Sequence, residues 1–406
     1  MPGFARWLLT IILVFSILQA VPVTAQSEVS ICGPDGLQSS GAVYRICMPP
    51  PENWNGDLVV YAHGFVAFNL PVEIPEDHLQ LPDGTSLPEI INSLGYAFAT
   101  TSYSTNGLAV RQGLPDVREL VDIFITIHGH PRFTYVVGVS EGGLIAAKAI
   151  ERYPEVFDGA LAASGPIGDF RRQVNSWGDF RVVFDYFFPE VIPGSPVDIP
   201  QEVIDTWDEV FIPRLQKAIR SNRRAALQLL RVTGTPFDLK DPSSMEKTIL
   251  DLLRFHTMAT NDAVEKLGGQ PFDNMSRIYR GSGHDLLLNR TVQRFAADQA
   301  ALDEIEAHYQ TTGRLARPMV TLHTTKDPII PYWHDPIYRL KAALHESMPQ
   351  HTGLPSPHYG HCHFTAGEVL TAFTLLVFKV TGRQDRRRPS RRHGLSTWRE
   401  LRPGFL

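Results

Sequence analysis

Along the chain, short runs of uninterrupted apolar residues alternate with longer stretches in which apolar residues recur every three or four positions. The first run is DLVVYAHGF from Asp57, which stops in a glycine turn, and the next is YAFATTSY from Tyr96, with the helical pattern LPEIINSLG between them. The helix pattern VRELVDIFITIHG, the run RFTYVVGV, the helix pattern EGGLIAAKAIERYP and the run GALAAS follow in that order. A strand that is apolar on both faces has to be covered on both, so this rhythm predicts a mostly parallel sheet with helices on either side, the doubly wound α/β class.

The rhythm breaks after about residue 169. From 170 to 310 the chain carries helix patterns such as EVIDTWDEVFIPRLQKAIRS and SMEKTILDLLRFHTMA but no clear alternating strand, which predicts a helical cap inserted into the sheet. The aromatic stretch FRVVFDYFFP near its start either lines a pocket or packs the cap. The α/β pattern returns at RPMVTLHTT and closes with a helix after Phe364, where Thr365 and Glu368 form a capping box. The sequence therefore divides into a core from 26 to 169, a cap from 170 to 310 and a second part of the core from 311 to 382. Residues 383–406, rich in arginine and poor in apolar periodicity, read as a solvated, disordered tail, with an anionic polymer as the alternative partner.

At the amino end a lone Arg6, the apolar run LLTIILVFSIL and then VTA before Gln26 have the layout of a secretory signal peptide spanning 1–25; an uncleaved anchor is the alternative. Secretion, to the extracellular space or a periplasm, is the expected localisation. Removing that segment leaves about 380 residues, enough for a large core with an insertion. The later apolar stretch VLTAFTLLVFKV has the length of a buried helix, so no stable membrane insertion is expected. A net charge of −5 gives no reason to expect nucleic acid as a partner, and oligomeric state is not legible. Of three cysteines, Cys32 and Cys47 flank a turn-rich stretch just after the signal and are expected to pair, two buried free thiols being the alternative; Cys362 is left as a free thiol. Two glycosylation sequons begin at Asn274 and Asn289.

The sharpest chemical signal is Gly138-Val139-Ser140-Glu141-Gly142, a G-x-S-x-G run between a strand and a helix. A serine hydroxyl becomes a useful nucleophile only when a base takes its proton and a carboxylate steadies that base. In this architecture the acid and then the base follow the serine along the chain. Asp327, in TTKDPIIP after a strand, is the expected acid, with Asp169 in SGPIGDF as the rival. His361, in YGHCHFT just before the capped helix, is the expected base, with His363 and His358 as neighbours to be distinguished from it. A metal site built on His361 and His363 lacks companion ligands at suitable spacing. The oxyanion requires two amide donors, expected from Glu141 at a helix start and from Phe65 in the loop AHGF, where Gly64 permits close approach and His63 is structural.

AHGF, GVSEGG, HTTKDPIIP and GHCHFT, in that order over roughly residues 30 to 380, resemble the motifs of secreted, capped α/β-hydrolases of esterase type. The resemblance implies the α/β-hydrolase fold, Ser140 as nucleophile, Asp327 as acid, His361 as base, Phe65 and Glu141 as oxyanion donors, and no metal or organic cofactor. It implies a carboxylic ester as substrate, small or polymeric. A serine aminopeptidase, a polyester depolymerase and a non-catalytic binding module are the competing readings. The chain departs from the pattern in HESMPQHTGLPSPHYG, which does not read as the apolar strand expected before the histidine. There is no phosphate-cradling glycine loop to suggest a nucleotide cofactor.

Overall fold

The computed structural model describes residues 31–81 and 84–387, so the expected signal segment and residues 388–406 of the expected tail lie outside the described residues. One sheet contains eight strands: β1 (Gly36–Leu37), β2 (Val43–Cys47), β3 (Leu58–Ala62), β4 (Ala97–Thr101), β5 (Thr134–Val139), β6 (Gly159–Ala163), β7 (Met319–Lys326) and β8 (His351–Tyr359). Their order is β1-β2-β4-β3-β5-β6-β7-β8. β1 pairs antiparallel with β2, and β2 antiparallel with β4; all the other pairings are parallel. This is the α/β-hydrolase fold.

Among the described residues, twelve α-helices accompany the sheet: α1 (Leu87–Ser93), α2 (Val110–His128), α3 (Glu141–Arg152), α4 (Phe170–Phe187), α5 (Gln201–Asp205), α6 (Ile212–Ser221), α7 (Arg223–Thr233), α8 (Ser244–Leu267), α9 (Asp285–Thr291), α10 (Gln299–His308), α11 (His334–Leu344) and α12 (Ala366–Arg387). Because successive side chains of a strand point to opposite faces, each buried strand feeds two cores. Val60, Val136 and Ala160 pack with α2 and α3, while Val59, Tyr135 and Leu161 pack with α1 and α12. Truncating Leu376 of α12, which is fully buried against this second face, would cost about 2–5 kcal/mol. No helix among the described residues is long and apolar enough to cross a membrane. A disulfide joins Cys32 to Cys47 and fastens the first described residues to β2.

Between β6 and β7 run α4 to α10, where the helical cap was expected. Most of this segment has a core of its own, in which Phe180, Phe184 and Phe188 are buried, so the FRVVFDYFFP aromatics pack the cap. α10 packs on the cap helices α4 and α8, and its Ala301 and Ile305, with Tyr309 beyond it, also join the cluster that includes α2 and α3. The continuous pattern 202–221 is not one helix. It is α5, a wide π turn at Trp207–Phe211, and α6, because Pro213 offers no N–H and its ring crowds the preceding turn. α12 runs to Arg387, past the expected start of the tail at 383. Both sequon asparagines are tied internally: buried Asn274 bonds Tyr279 and Gln293, and Asn289 bonds Tyr279 and Asp285.

The strand missing from the sequence pattern is β8. It pairs with β7 from Met319↔His351 onward and lies at the end of the sheet. An edge strand needs a single hydrogen-bonded ladder, so Pro355 and Pro357, two positions apart, remove N–H groups from one side only. Edge position, rather than hydrophobicity, makes this polar, proline-containing segment a strand, and it carries the chain to His361.

Candidate active site

The parallel strands end together at one edge of the sheet, where ligands meet an open α/β sheet. Four of the loops there matter: those after β3, β5, β7 and β8. Ser140 follows β5 directly, with φ 58° and ψ −121°, and begins the turn into α3. A serine in this left-handed region is strained and persists because its surroundings hold it. Its N–H donates to Ala163 O at 2.8 Å, and its carbonyl accepts from Gly143 N at 2.9 Å. The glycines on either side are obligatory: a Cβ on Gly138 would lie 1.9 Å from Gly142 O, and one on Gly142 would lie 2.0 Å from Ala62 O.

The structure brings Ser140, His361 and Asp327 into one line. The Ser140 hydroxyl lies 2.8 Å from His361 Nε2, and His361 Nδ1 lies 2.7 Å from Asp327 Oδ2. A carboxylate only accepts, so the proton sits on Nδ1 and leaves Nε2 to accept from the serine. Asp327 is buried, and its Oδ1 accepts the backbone N–H groups of Ile329 (2.9 Å) and Ile330 (3.0 Å), which fix its orientation. The β7 and β8 loops are tied together by Thr324 Oγ1, which donates to Gly360 O at 2.7 Å. Beyond His361, Thr365 and Glu368 exchange hydrogen bonds in the expected capping box: Thr365 N to Glu368 at 2.8 Å and Glu368 N to Thr365 Oγ1 at 3.2 Å.

Burial alone would push the His361 imidazole down, but the Asp327 carboxylate and the neighbouring Cys362 thiol outweigh it and hold the ring well above its ordinary 6.5. Cys362 is a free thiol on a left-handed residue (φ 58°). The rival residues sit elsewhere. His363 is exposed, His358 lies 3.3 Å from Glu368, and Asp169 caps α4 and accepts from Gln310. His63 is buried, stacks on Tyr103 with 4.1 Å between centroids and is pushed down to about 4 by burial, so it is a neutral structural ring.

The β3 loop approaches the elbow closely: a Cβ on Gly64 would lie 3.3 Å from Ser140 Cβ and 3.8 Å from its Oγ. Phe65 follows at once and lines the same cleft as Ser140 and Glu141. Neither the Phe65 nor the Glu141 amide donates to another group among the described residues.

Three further groups were missed in the sequence. Glu141 had been read only for its amide, yet its carboxyl is buried, lines the cleft and takes the Ala109 N–H at 2.8 Å. Burial pushes it up to about 8, against the pull of that N–H and of Lys266, so it is predominantly protonated at neutral pH. His323, buried in β7, stands behind the acid: Nδ1 is 3.0 Å from Asp335 Oδ2, and Nε2 donates to Ile330 O at 2.8 Å while lying 3.7 Å from Asp327 Oδ2. With acceptors around both nitrogens the imidazolium is favoured, and despite burial the carboxylates of Asp335 and Asp327 raise it above its ordinary value. His256 of α8 lines the cleft as well. No sequence signal marks these three, since each depends on what the fold brings against it. Among the described residues, no group of three or more His, Cys, Asp or Glu side chains is arranged to hold a metal ion.

The cleft between core and cap is open at its mouth and leaves about 90 Å³ of space for water-sized occupants. Its walls are mainly apolar, with Phe65, Phe170, Trp177, Phe255 and Phe272 among them.

No family model matches the chain, and no curated protein matches it. Among solved structures it is similar to the rice cell wall degrading esterase LipA from Xanthomonas oryzae, at 13% identity over 90% of this chain and 94% of that one, with a TM-score of 0.43. It is similar to feruloyl esterase B from Aspergillus oryzae, at 15% identity over 86% and 79%, with a TM-score of 0.42. An acylaminoacyl peptidase aligns at 10% identity over 86% of this chain, which spans 41% of that longer one, with a TM-score of 0.42. Likenesses this distant carry nothing about chemistry.

Proposed function

We propose that the chain is a serine hydrolase that cleaves carboxylic esters through an acyl-enzyme on Ser140. The observation that carries this reading is the continuous line from Ser140 Oγ through His361 to the buried Asp327, at 2.8 and 2.7 Å. His361 Nε2 takes the hydroxyl proton as Oγ attacks the substrate carbonyl, and Asp327 steadies the resulting imidazolium. The oxyanion is received by the free amides of Phe65 and Glu141, at the positive end of α3. His361 then protonates the departing alcohol, and water repeats the sequence to release the acid. A protonated Glu141 suits this step, because a carboxylate there would oppose the developing charge.

The apolar cleft is suited to an apolar acyl group. A serine aminopeptidase is the second reading; there a substrate ammonium entering the cleft would have to draw the proton off the Glu141 carboxyl before pairing with it. We also propose export from the cytoplasm, supported by the layout of residues 1–25 and by the Cys32–Cys47 disulfide, a bond that persists in oxidising compartments. The chemistry is tested with p-nitrophenyl acetate, butyrate and octanoate beside aminoacyl p-nitroanilides, each with the native protein and with Ser140→Ala. Serine-dependent ester turnover is expected. Serine-dependent cleavage of the anilides alone would favour the aminopeptidase, and inactivity on everything would overturn both.

A further inference from the structure

Positive charge gathers on the outside of the cap. The chain as a whole carries a net −5, yet residues 223–237 contain three arginines and no carboxylate, and residues 274–297 contain four arginines and a single carboxylate, Asp285. Arg277 pairs with Asp179, and Arg294 donates to the carbonyls of Asn274 and Arg277. Asp285 is turned back onto the N–H groups of Gly281 and Ser282. Arg223, Arg224, Arg231, Arg280 and Arg290 are exposed, and none of them forms an ion pair among the described residues.

These groups belong to one surface. α7 and α9 both pack on α4. Gly283 N, just before α9, donates to Gln228 Oε1 of α7 at 2.5 Å. Asn289 of α9 exchanges two hydrogen bonds with the backbone of Tyr279, at 2.8 and 2.6 Å. Ala226, Leu229 and Leu230 of α7, Tyr279, and Leu288 of α9 all enter the single core of the cap. The exposed residues between them therefore point outward together: Arg223, Leu227 and Arg231 along α7, Ile278 and Arg280 on either side of Tyr279, and Leu286, Leu287 and Arg290 on α9. None of them lines the cleft.

The apolar members of this face protrude. Leu286 is 85% exposed, Ile278 67%, Leu287 52% and Leu227 43%. Leucines set among unpaired arginines call for a partner that is both apolar and anionic. A polyanion alone would engage the arginines and leave the leucines in water. A protein partner would need a socket shaped for each side chain that stands out this far. A fluid lipid boundary takes them as they stand, while its anionic headgroups meet the arginines.

We propose that this outer face of the cap, formed by α7 and residues 278–290, docks on a lipid surface that carries anionic headgroups. The proposal goes beyond the ester reading and does not depend on it, because its test reads binding rather than turnover.

The test is flotation of the purified protein with vesicles of phosphatidylcholine, with and without phosphatidylglycerol. The native protein is expected to bind the phosphatidylglycerol vesicles at least about tenfold more tightly, and to let go as salt is raised. The double variant Arg280→Gln/Arg290→Gln is expected to weaken that binding by about twentyfold. Leu286→Ser/Leu287→Ser is expected to weaken it by about tenfold or more and to leave retention on heparin unchanged. All four residues are exposed, so the variants should fold as the native protein does, which circular dichroism checks. Residues 1–25 and 388–406 are the same in every protein compared, so the differences report on this surface. Equal binding to both kinds of vesicle would overturn the proposal, as would phosphatidylglycerol binding that survives both folded variants. Loss in the arginine variant alone, with the leucine variant binding as the native protein does, would assign the face to a polyanion and overturn it too.

Discussion

The two sides of the cleft are built differently. On the core side each polar group of the reacting line has its partners: His361 is held at both nitrogens, and Asp327 takes two backbone amides, lies close to Thr324 and has His323 behind it. On the cap side the wall is mainly apolar. A saturated network is rigid, because moving any one member leaves another unpaired in a low-dielectric site. An apolar wall imposes shape. The contrast suggests a division of labour in which the core supplies chemistry and the cap supplies choice.

Changes on the core side should therefore act on rate, and the largest effects lie there. Ser140→Ala should lower kcat for a good ester by about 10⁴–10⁶ with little change in folding, checked by steady-state kinetics beside circular dichroism. Asp327→Asn, which keeps the shape but allows the wrong imidazole tautomer, should cost about 10⁴ in kcat.

Smaller effects should appear in the pH profile. Because His361 is held above 6.5, it is protonated and idle at low pH, and kcat/KM should fall as pH drops through that raised value. Removing the His323 imidazolium in His323→Leu leaves the field of Asp327 and Asp335 less opposed. His361 should then keep its proton to higher pH, and the acid limb should move up by about one unit. A purely structural role for His323 would lower the whole profile and leave the limb in place. On the alkaline side, Glu141 ionises near pH 8 and sets a negative charge beside the oxyanion, so activity should decline there. Glu141→Gln should remove that decline and leave the rate at pH 7 within about threefold. The smallest effect is expected from Thr365→Ala, which removes the cap on α12 and should cost about 1 kcal/mol of stability in thermal or urea unfolding.

What could be read in the sequence follows the same division. The strands β3, β4, β5, β6 and β7 announce themselves because a strand buried on both faces must be apolar throughout, and Gly138-Val139-Ser140-Glu141-Gly142 is specific because a tight strand-to-helix turn admits so few side chains. The capping box at Thr365 and Glu368 was legible because it depends on residues three apart. β8 was illegible because an edge strand can be polar and contain prolines. The roles of Glu141 and His323 were hidden for a related reason: each arises from groups that the fold, not the local sequence, brings against it, Ala109 for the first and Asp335 for the second. The break at Pro213 was visible as a residue, but its outcome as a π turn between α5 and α6 depends on how the cap packs around Trp207 and Phe211.

The central claim is that the line through His361 makes Ser140 a nucleophile. The direct measurement is to treat the protein with a p-nitrophenyl alkylphosphonate, which traps activated serines covalently, and to map the adduct by peptide mass spectrometry. The account predicts a single adduct on the peptide that contains Ser140, formed with release of p-nitrophenol and absent in His361→Ala. An adduct on another residue, or labelling of Ser140 at an undiminished rate without His361, would contradict it.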